Sequence, residues 1–193
     1  MYRDNYSINR ELIIKCKKND KNAFMELYKH YEKYLYKLCF SYVQNEQDAL
    51  DISQEVYIKV FSNIKRFDEK YPFHPWFRRI AVNTCINFKR AEKNNTISLQ
   101  TRIDEEDRTL EDVIAAEEDI ESNIEKLEMS RLIKHNLGIL SPKQRMVVIL
   151  RYFEDMSYDE IAEMLKIPLG TVKTDLFRAR GILKNKLVNI LEV

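Results

Sequence analysis

Apolar residues recur every three or four positions along most of the chain, and nowhere do they alternate as a strand requires. Residues 7–18 place Ile8, Leu12 and Ile13 at helical spacing. Residues 20–42 carry Phe24, Leu27, Tyr28, Tyr31, Leu35, Leu38 and Tyr42 at the same spacing, which predicts a second helix. Asp20 fits its N-cap, because a carboxylate there accepts first-turn amide protons. Residues 46–61 predict a third helix, with Ile52, Val56, Tyr57 and Val60 on one side. Residues 65–75 break the period and hold Pro72 and Pro75. A fourth helix is expected from Pro75 or Trp76, since proline suits a first turn. It continues through Ile80, Cys85 and Phe88 to a basic end at Lys89, Arg90 and Lys93.

From residue 94 to about 122 the pattern gives out, leaving a polar, acidic stretch with a weak register at Leu110, Val113 and Ile114. Such composition reads as a linker. Helical spacing resumes over 124–139. Ser141-Pro142 then opens another helix, with Gln144 three residues after the serine as in a capping box. Its expected buried residues are Val147, Val148, Leu150 and Tyr152. A short helix over 157–165, a turn at 166–168 and a long basic helix over 169–189 complete the chain. The expected fold is all-α: two small helical domains, 1–93 and 124–193, joined by a flexible acidic linker over 94–123.

Three Gly and four Pro in 193 residues agree with few turns and long helices. The net charge of +1 hides an uneven distribution. Residues 1–93 carry 18 basic and 12 acidic side chains, residues 94–128 carry 3 and 12, and residues 129–193 carry 11 and 7. Two basic modules suit a polyanion; ordinary solvated faces offset by one acidic stretch fit the same counts. No apolar run is long enough to span a bilayer, and residues 1–18 mix charges with no signal-peptide core. No membrane insertion is expected, and the expected place is the cytoplasm. Cys16, Cys39 and Cys85 form no CxxC pair, and His30, His74 and His135 have no metal-ligand spacing, so buried thiols and no cofactor are expected.

Residues 157–180 read as helix-turn-helix. Ile161, Ala162 and Leu165 make the inner stripe of the first helix, and Pro168 stops it from continuing. In the second helix Val172, Leu176, Ala179, Leu183 and Leu187 face inward. Lys173, Thr174, Phe177 and Arg178 are left outward, with Arg180 towards one flank. A major groove admits such a helix, and its base edges offer acceptors and methyl groups to these side chains.

Leu140-Ser-Pro-Lys-Gln-Arg-Met-Val-Val-Ile-Leu-Arg-Tyr-Phe-Glu-Asp-Met-Ser-Tyr-Asp-Glu-Ile-Ala162, followed by Ile167-Pro-Leu-Gly-Thr-Val-Lys-Thr174 and Phe177-Arg-Ala-Arg180, resembles region 4 of the extracytoplasmic-function (ECF) sigma factors. The resemblance implies binding to the minus-35 promoter element through Arg151 (to phosphate), Thr171, Lys173, Thr174, Phe177, Arg178 and Arg180. Asp175 departs from the basic residue common there; it either shifts sequence preference or faces away from DNA.

Asp48-Ala-Leu-Asp-Ile-Ser-Gln-Glu-Val-Tyr-Ile-Lys-Val-Phe61 resembles the helix of sigma region 2 that docks on a coiled coil of the largest polymerase subunit. Asp48, Asp51 and Glu55 share one face, with Gln54 beside them, and an acidic-polar face can pair with partner arginines. Read alone, the same face fits an ordinary solvated one better; the match of the rest of the region favours docking. Phe73-His-Pro-Trp-Phe-Arg-Arg-Ile-Ala-Val-Asn-Thr-Cys-Ile-Asn-Phe-Lys-Arg90 is similar to the promoter-melting helix of that family. Arg79, Asn83 and Asn87 step by four along one face, where amides can read base edges and arginine can hold phosphate. The resemblance adds Lys89 and Arg90 to the minus-10 contacts. It also makes Arg66 to His74 the loop that receives an extruded base, with Arg66, Phe73 and His74 supplying part of the pocket. Trp76 reads as a core anchor, and Asn87 stands where Asp is common.

The resemblance spans about residues 20–93 and 124–188. It implies a sigma factor, not an enzyme, that takes core RNA polymerase to promoter DNA. Such factors often have an anti-sigma inhibitor, though none of its determinants is legible here. The linker is a plain tether or threads the polymerase cleft. The competing class is a conventional helix-turn-helix regulator, which would bind DNA without polymerase. A nuclease is unsupported, because no metal cluster, nucleophile-base pair or phosphate loop is present.

Overall fold

The computed structural model describes residues 8–97 and 136–191, with side chains for 8–92 and 136–186. The chain divides into two compact units, Met1–Glu92 and Lys93–Val193. Among the described residues there are seven α-helices and no strand. The first four residues of the expected linker, 94–97, belong to a described helix; the rest of it, its weak register, the pattern over 124–135 and the side chain of Leu187 lie outside the described residues or side chains.

The first unit holds α1 (Arg10–Lys17), α2 (Lys21–Val43), α3 (Glu46–Asn63), a 3-10 turn (Ile64–Arg66) and α4 (Phe73–Ile97). Side-chain caps set the helix starts. Asn9 accepts from the Glu11 amide, Asp20 from the amides of Asn22 and Ala23 at 2.8 and 3.1 Å, and Asn45 from that of Asp48. Each satisfies a donor with no partner inside the helix. Gln44, left-handed at φ 59°, ends α2, and its side-chain amide donates to the carbonyls of Phe40 and Ser41.

Aromatic rings dominate the core of this unit. Tyr31 is fully buried and stacks on Phe77 with centroids 4.2 Å apart, while Phe73 meets Tyr31, Phe67, Trp76 and Phe77. Ile52, Val56, Tyr57 and Val60 are buried as their spacing predicts. Tyr28 is not: it is 40% exposed at the edge of the stripe, against the Tyr57 ring, and its carbonyl accepts the Tyr57 hydroxyl. Trp76 is half-buried against Phe67 and Phe73, as expected of an anchor. Cys16, Cys39 and Cys85 are buried free thiols, in no disulfide.

Two boundaries of α4 differ from expectation. It starts at Phe73, two residues before Pro75, because a proline within the first turn forfeits no intrahelical bond. It runs on to Ile97, past the point where the apolar pattern stops at residue 94. Helix persistence needs propensity rather than an apolar face, and Ala91, Glu92 and Lys93 supply it.

The second unit holds a 3-10 turn (Leu137–Ile139), α5 (Pro142–Tyr152), α6 (Tyr158–Leu165) and α7 (Leu169–Leu191). The turn replaces the last part of the helix expected to reach residue 139. The Ser141–Gln144 capping box is present, and a second one joins Ser157 to Glu160. Residues 145–150 are all buried, so α5 is the central helix of the unit, packed against α6 and α7. Tyr152 is only half-buried. In α6 the buried residues are Ile161 and Met164; Ala162 and Leu165, expected inside, are half-buried on the flanks.

Candidate nucleic-acid interface

Phe73, Phe77, Ala81, Val82, Thr84 and Cys85 turn one side of α4 into the core. The other side is left to Arg79, Asn83, Asn87 and Arg90, all exposed. The step of four thus brings Arg79, Asn83 and Asn87 onto one solvent-facing row, with Arg90 continuing it. Lys89 departs from this row. Three residues from Glu92, it forms an ion pair at 2.6 Å and lies half-buried.

The residues expected to form the base pocket divide between core and surface. Phe73 is a core residue, 6% exposed, and His74 is half-buried, stacked on Tyr31 and edge-on to Tyr34. Both belong to the first turn of α4, so their rings are committed to packing. Arg66 is exposed, and so is Tyr71 at 69%. The loop is held by its own turn and by α1. Asp68 accepts from the Lys70 amide, and the Lys17 ammonium donates to the Phe67 carbonyl at 3.0 Å and to Glu69 at 2.6 Å. That ammonium holds the Glu69 carboxyl below the usual carboxylate range. Tyr71 was missed from the sequence; its signal is an aromatic residue between an Asp-Glu-Lys turn and a proline, where no helix stripe can bury it.

On α3, Asp51, Gln54 and Glu55 are exposed and Asp48 is half-buried in the first turn. Asp51 accepts from Gln47, while Glu55 pairs with Lys59, whose ammonium also reaches Thr84 of α4. The face is therefore less acidic than the residue list suggests. Leu50 and Ile58, missed from the sequence, are 47% and 64% exposed on the same helix. They step by four with Gln54, out of register with the buried stripe, which makes the face mixed apolar and polar.

In the second unit, Lys166 at φ 56° ends α6, and the Pro168 carbonyl accepts the amides of Thr171 and Val172 to start α7. Val172, Leu176, Ala179 and Leu183 are buried. Thr171, Lys173, Phe177 and Arg178 are exposed, Phe177 by 70%. Thr174 is half-buried, its hydroxyl donating back to the Gly170 carbonyl at 2.9 Å. Asp175 lies half-buried on a flank, near enough to feel Lys143 and Arg178; burial nevertheless pushes its carboxyl above the usual range.

Two expected DNA contacts are used inside the unit. Arg151 donates to the Met156 carbonyl at 3.0 Å and lies over the Tyr158 ring. Arg180 donates to the Tyr152 hydroxyl at 2.8 Å and lies by its ring. Both are half-buried struts across α5, α6 and α7, because a guanidinium can satisfy a carbonyl or hydroxyl while stacking on an aromatic face. Arg145, missed from the sequence, is buried, and its guanidinium donates to the carbonyls of Leu137, Gly138 and Leu140.

These two arrangements correspond to separate family models: Sigma-70 region 2 matches residues 27–95, and Sigma-70, region 4 matches residues 131–183. The ECF RNA polymerase sigma factor SigW of Bacillus subtilis is 34% identical over 179 residues, 92% of this chain and 96% of that protein. The chain belongs to the ECF RNA polymerase sigma factors. The ECF RNA polymerase sigma-E factor of Haemophilus influenzae is 31% identical, over 93% of this chain and 95% of that one. Among solved structures, CnrH in complex with the cytosolic domain of CnrY matches with a TM-score of 0.58 at 23% identity, over 93% of this chain and 97% of that chain. The sigma factor RpoE in complex with the anti-sigma factor NepR from Bartonella quintana matches with a TM-score of 0.59 at 21% identity, over 85% and 96%. These two likenesses concern the fold.

An ECF sigma factor serves promoter recognition in transcription initiation and is not an enzyme. Among the described residues, no helix is long and apolar enough to cross a membrane.

Proposed function

We propose that residues 1–93 bind core RNA polymerase and capture the opened minus-10 strand, while residues 124–193 hold the minus-35 duplex, both in the cytoplasm where promoter DNA lies. Asp48, Asp51, Gln54 and Glu55 of α3 form the polymerase-docking face, widened by Leu50 and Ile58. Lys173, Phe177 and Arg178, with Thr171 and Thr174 beside them, enter the major groove. Arg180 acts there by tying α7 to α5, and Arg151 by bracing the α5–α6 connection. An anti-sigma factor is a further partner in this reading, as NepR is for RpoE of Bartonella quintana.

The observation that carries the strand-capture role is the solvent-facing row of Arg79, Asn83 and Asn87 on a helix whose opposite side is anchored by buried rings. Single-stranded bases offer edges that a duplex hides, so amides on a rigid helix favour the open strand. Only that difference in affinity moves the equilibrium; equal binding to both states shifts nothing. The guanidinium of Arg79 adds phosphate attraction, and the exposed Tyr71 ring offers a stacking surface at the loop.

Asn83→Ala tests the assignment. Losing one amide contact should cost about 1 kcal/mol, roughly a fivefold fall in open complex. Binding of the holoenzyme to closed duplex promoter should stay unchanged. Permanganate footprinting of unpaired thymines beside a duplex gel shift separates the two steps. Equal loss in both would make Asn83 a duplex contact and end the strand-capture reading.

A further inference from the structure

Cys39 of α2 and Cys85 of α4 take no part in the proposed interfaces. Both are fully buried, they stand 46 residues apart in sequence, and their sulfurs meet at 3.9 Å with the Cys85 thiol donating to Cys39. We propose that Cys39 and Cys85 form an oxidisable dithiol, which a peroxide-class oxidant converts into an intramolecular disulfide tying α2 to α4. A disulfide needs its sulfurs at about 2.05 Å. The pair must close by roughly 2 Å, which side-chain rotation with a small helix shift can provide.

The two thiols are not equivalent, and this sets the order of events. Cys39 accepts a hydrogen bond from Cys85, and this holds its thiol below the ordinary value. The Cys85 thiol is held well above it, first by donating to Cys39 and then by burial. Cys39, which accepts the Cys85 proton in the contact, is the sulfur placed to attack first. Its sulfur bonds to one peroxide oxygen, the O–O bond breaks, and the departing hydroxide leaves as water with the proton from Cys39. Cys39 is now a sulfenic acid. The Cys85 sulfur then attacks it, an S–S bond forms, the S–O bond breaks, and the hydroxide takes the Cys85 proton as a second water. Two thiols are oxidised and one peroxide is reduced to two waters. Access comes through local opening of the unit, since both sulfurs are closed to solvent in the native state.

Cys16 is an internal control. It is also buried, burial pushes its thiol up to about 11, and it is not part of the Cys39–Cys85 contact. The full chain is treated with hydrogen peroxide, quenched, unfolded and alkylated, and its peptides are read by mass spectrometry. The expected result is that Cys39 and Cys85 lose their label together and appear as one linked peptide. The link should return to two labelled peptides after dithiothreitol, with Cys16 labelled throughout. In Cys85→Ser the linked peptide should vanish, and Cys39 should progress to sulfinic acid instead. Cys39 and Cys85 remaining as alkylatable as Cys16 would overturn the proposal. So would single over-oxidation in the wild-type chain without a link, or a link that includes Cys16.

Discussion

Each unit ends on a long helix that offers a polar face to solvent, yet the two faces are held by opposite means. In the first unit α4 is held by rings: Tyr31, Phe67, Phe73, Trp76 and Phe77 pack against one another, and its outward row is rich in amides. The second unit is braced partly by guanidinium groups, of which Arg180 is the one on α7. Arg145 binds the preceding 3-10 turn, Arg151 the α5–α6 connection and Arg180 the Tyr152 hydroxyl of α5. A ring core needs no buried guanidinium to hold its helices, although Lys17, Lys59 and Lys89 are paired with carboxylates at its surface. A unit built on arginine struts spends part of its positive charge on itself, so its basic residues do not all count towards DNA. This difference fits the two tasks. Amides discriminate an open strand by hydrogen bonding, whereas duplex docking tolerates a few well-placed cations and one exposed ring.

The largest effect expected is loss of polymerase binding when Asp51→Arg and Glu55→Arg are combined. The α3 face is exposed, so reversing two charges should leave the fold intact; the Glu55–Lys59 pair it removes is a surface pair worth under about 1 kcal/mol. Like charges against a basic partner cost several kcal/mol. Co-elution with core polymerase should vanish while circular dichroism stays that of the wild type. Full co-elution would return α3 to an ordinary solvated face and remove the contrast between a partner-facing first unit and a self-bracing second one.

Next in size is a pair of arginine truncations within the second unit. Arg145→Ala leaves three carbonyls without their donor, which should cost roughly 3 kcal/mol of stability and lower the melting temperature of that unit by on the order of 10–20 °C. Arg178→Ala removes an exposed side chain and should cost almost no stability, but about 1–3 kcal/mol of minus-35 binding. Calorimetry and position-scanned duplex binding read the two effects. Equal losses of stability in both variants would erase the distinction between strut and contact.

Much of this fold was legible from periodicity. Asp20, Ser141 and the Ser141–Gln144 box were readable because capping is a local matter of one side chain and the next turn. The α4 row was readable because the buried partners Phe77, Ala81 and Cys85 define its opposite side. What stayed hidden is tertiary. Nothing local distinguishes Arg151 and Arg180, which brace the unit, from Lys173 and Arg178, which do not. The carbonyls and rings they meet come from other elements. The family resemblance assigns Phe73 and His74 to a pocket loop, but no local signal shows that the helix starts at Phe73 and carries both rings into the packing.

The smallest effect sharpens the comparison from its acidic side. Asp175 is a carboxylate on the flank of a face meant for a polyanion, and burial raises its pKa against the pull of Lys143 and Arg178. A folded pKa above the unfolded one means the native state binds the proton more readily than the unfolded chain does. The charged carboxylate therefore costs stability above its folded pKa, and that cost disappears as pH falls below the unfolded value of about 3.9. Asp175→Asn should thus gain a few tenths of a kcal/mol at neutral pH, with the gain fading towards pH 3. Removing the charge should also strengthen minus-35 duplex binding by roughly twofold to fivefold at low salt, less at high salt where exposed charges are screened. Denaturant titration across pH and duplex binding across salt read the two arms. A stability gain that persists at pH 3 would mean the substitution acts by packing rather than by charge. Duplex affinity that ignores the substitution at low salt would mean Asp175 is turned fully away from DNA, its charge felt by Lys143 and Arg178 instead.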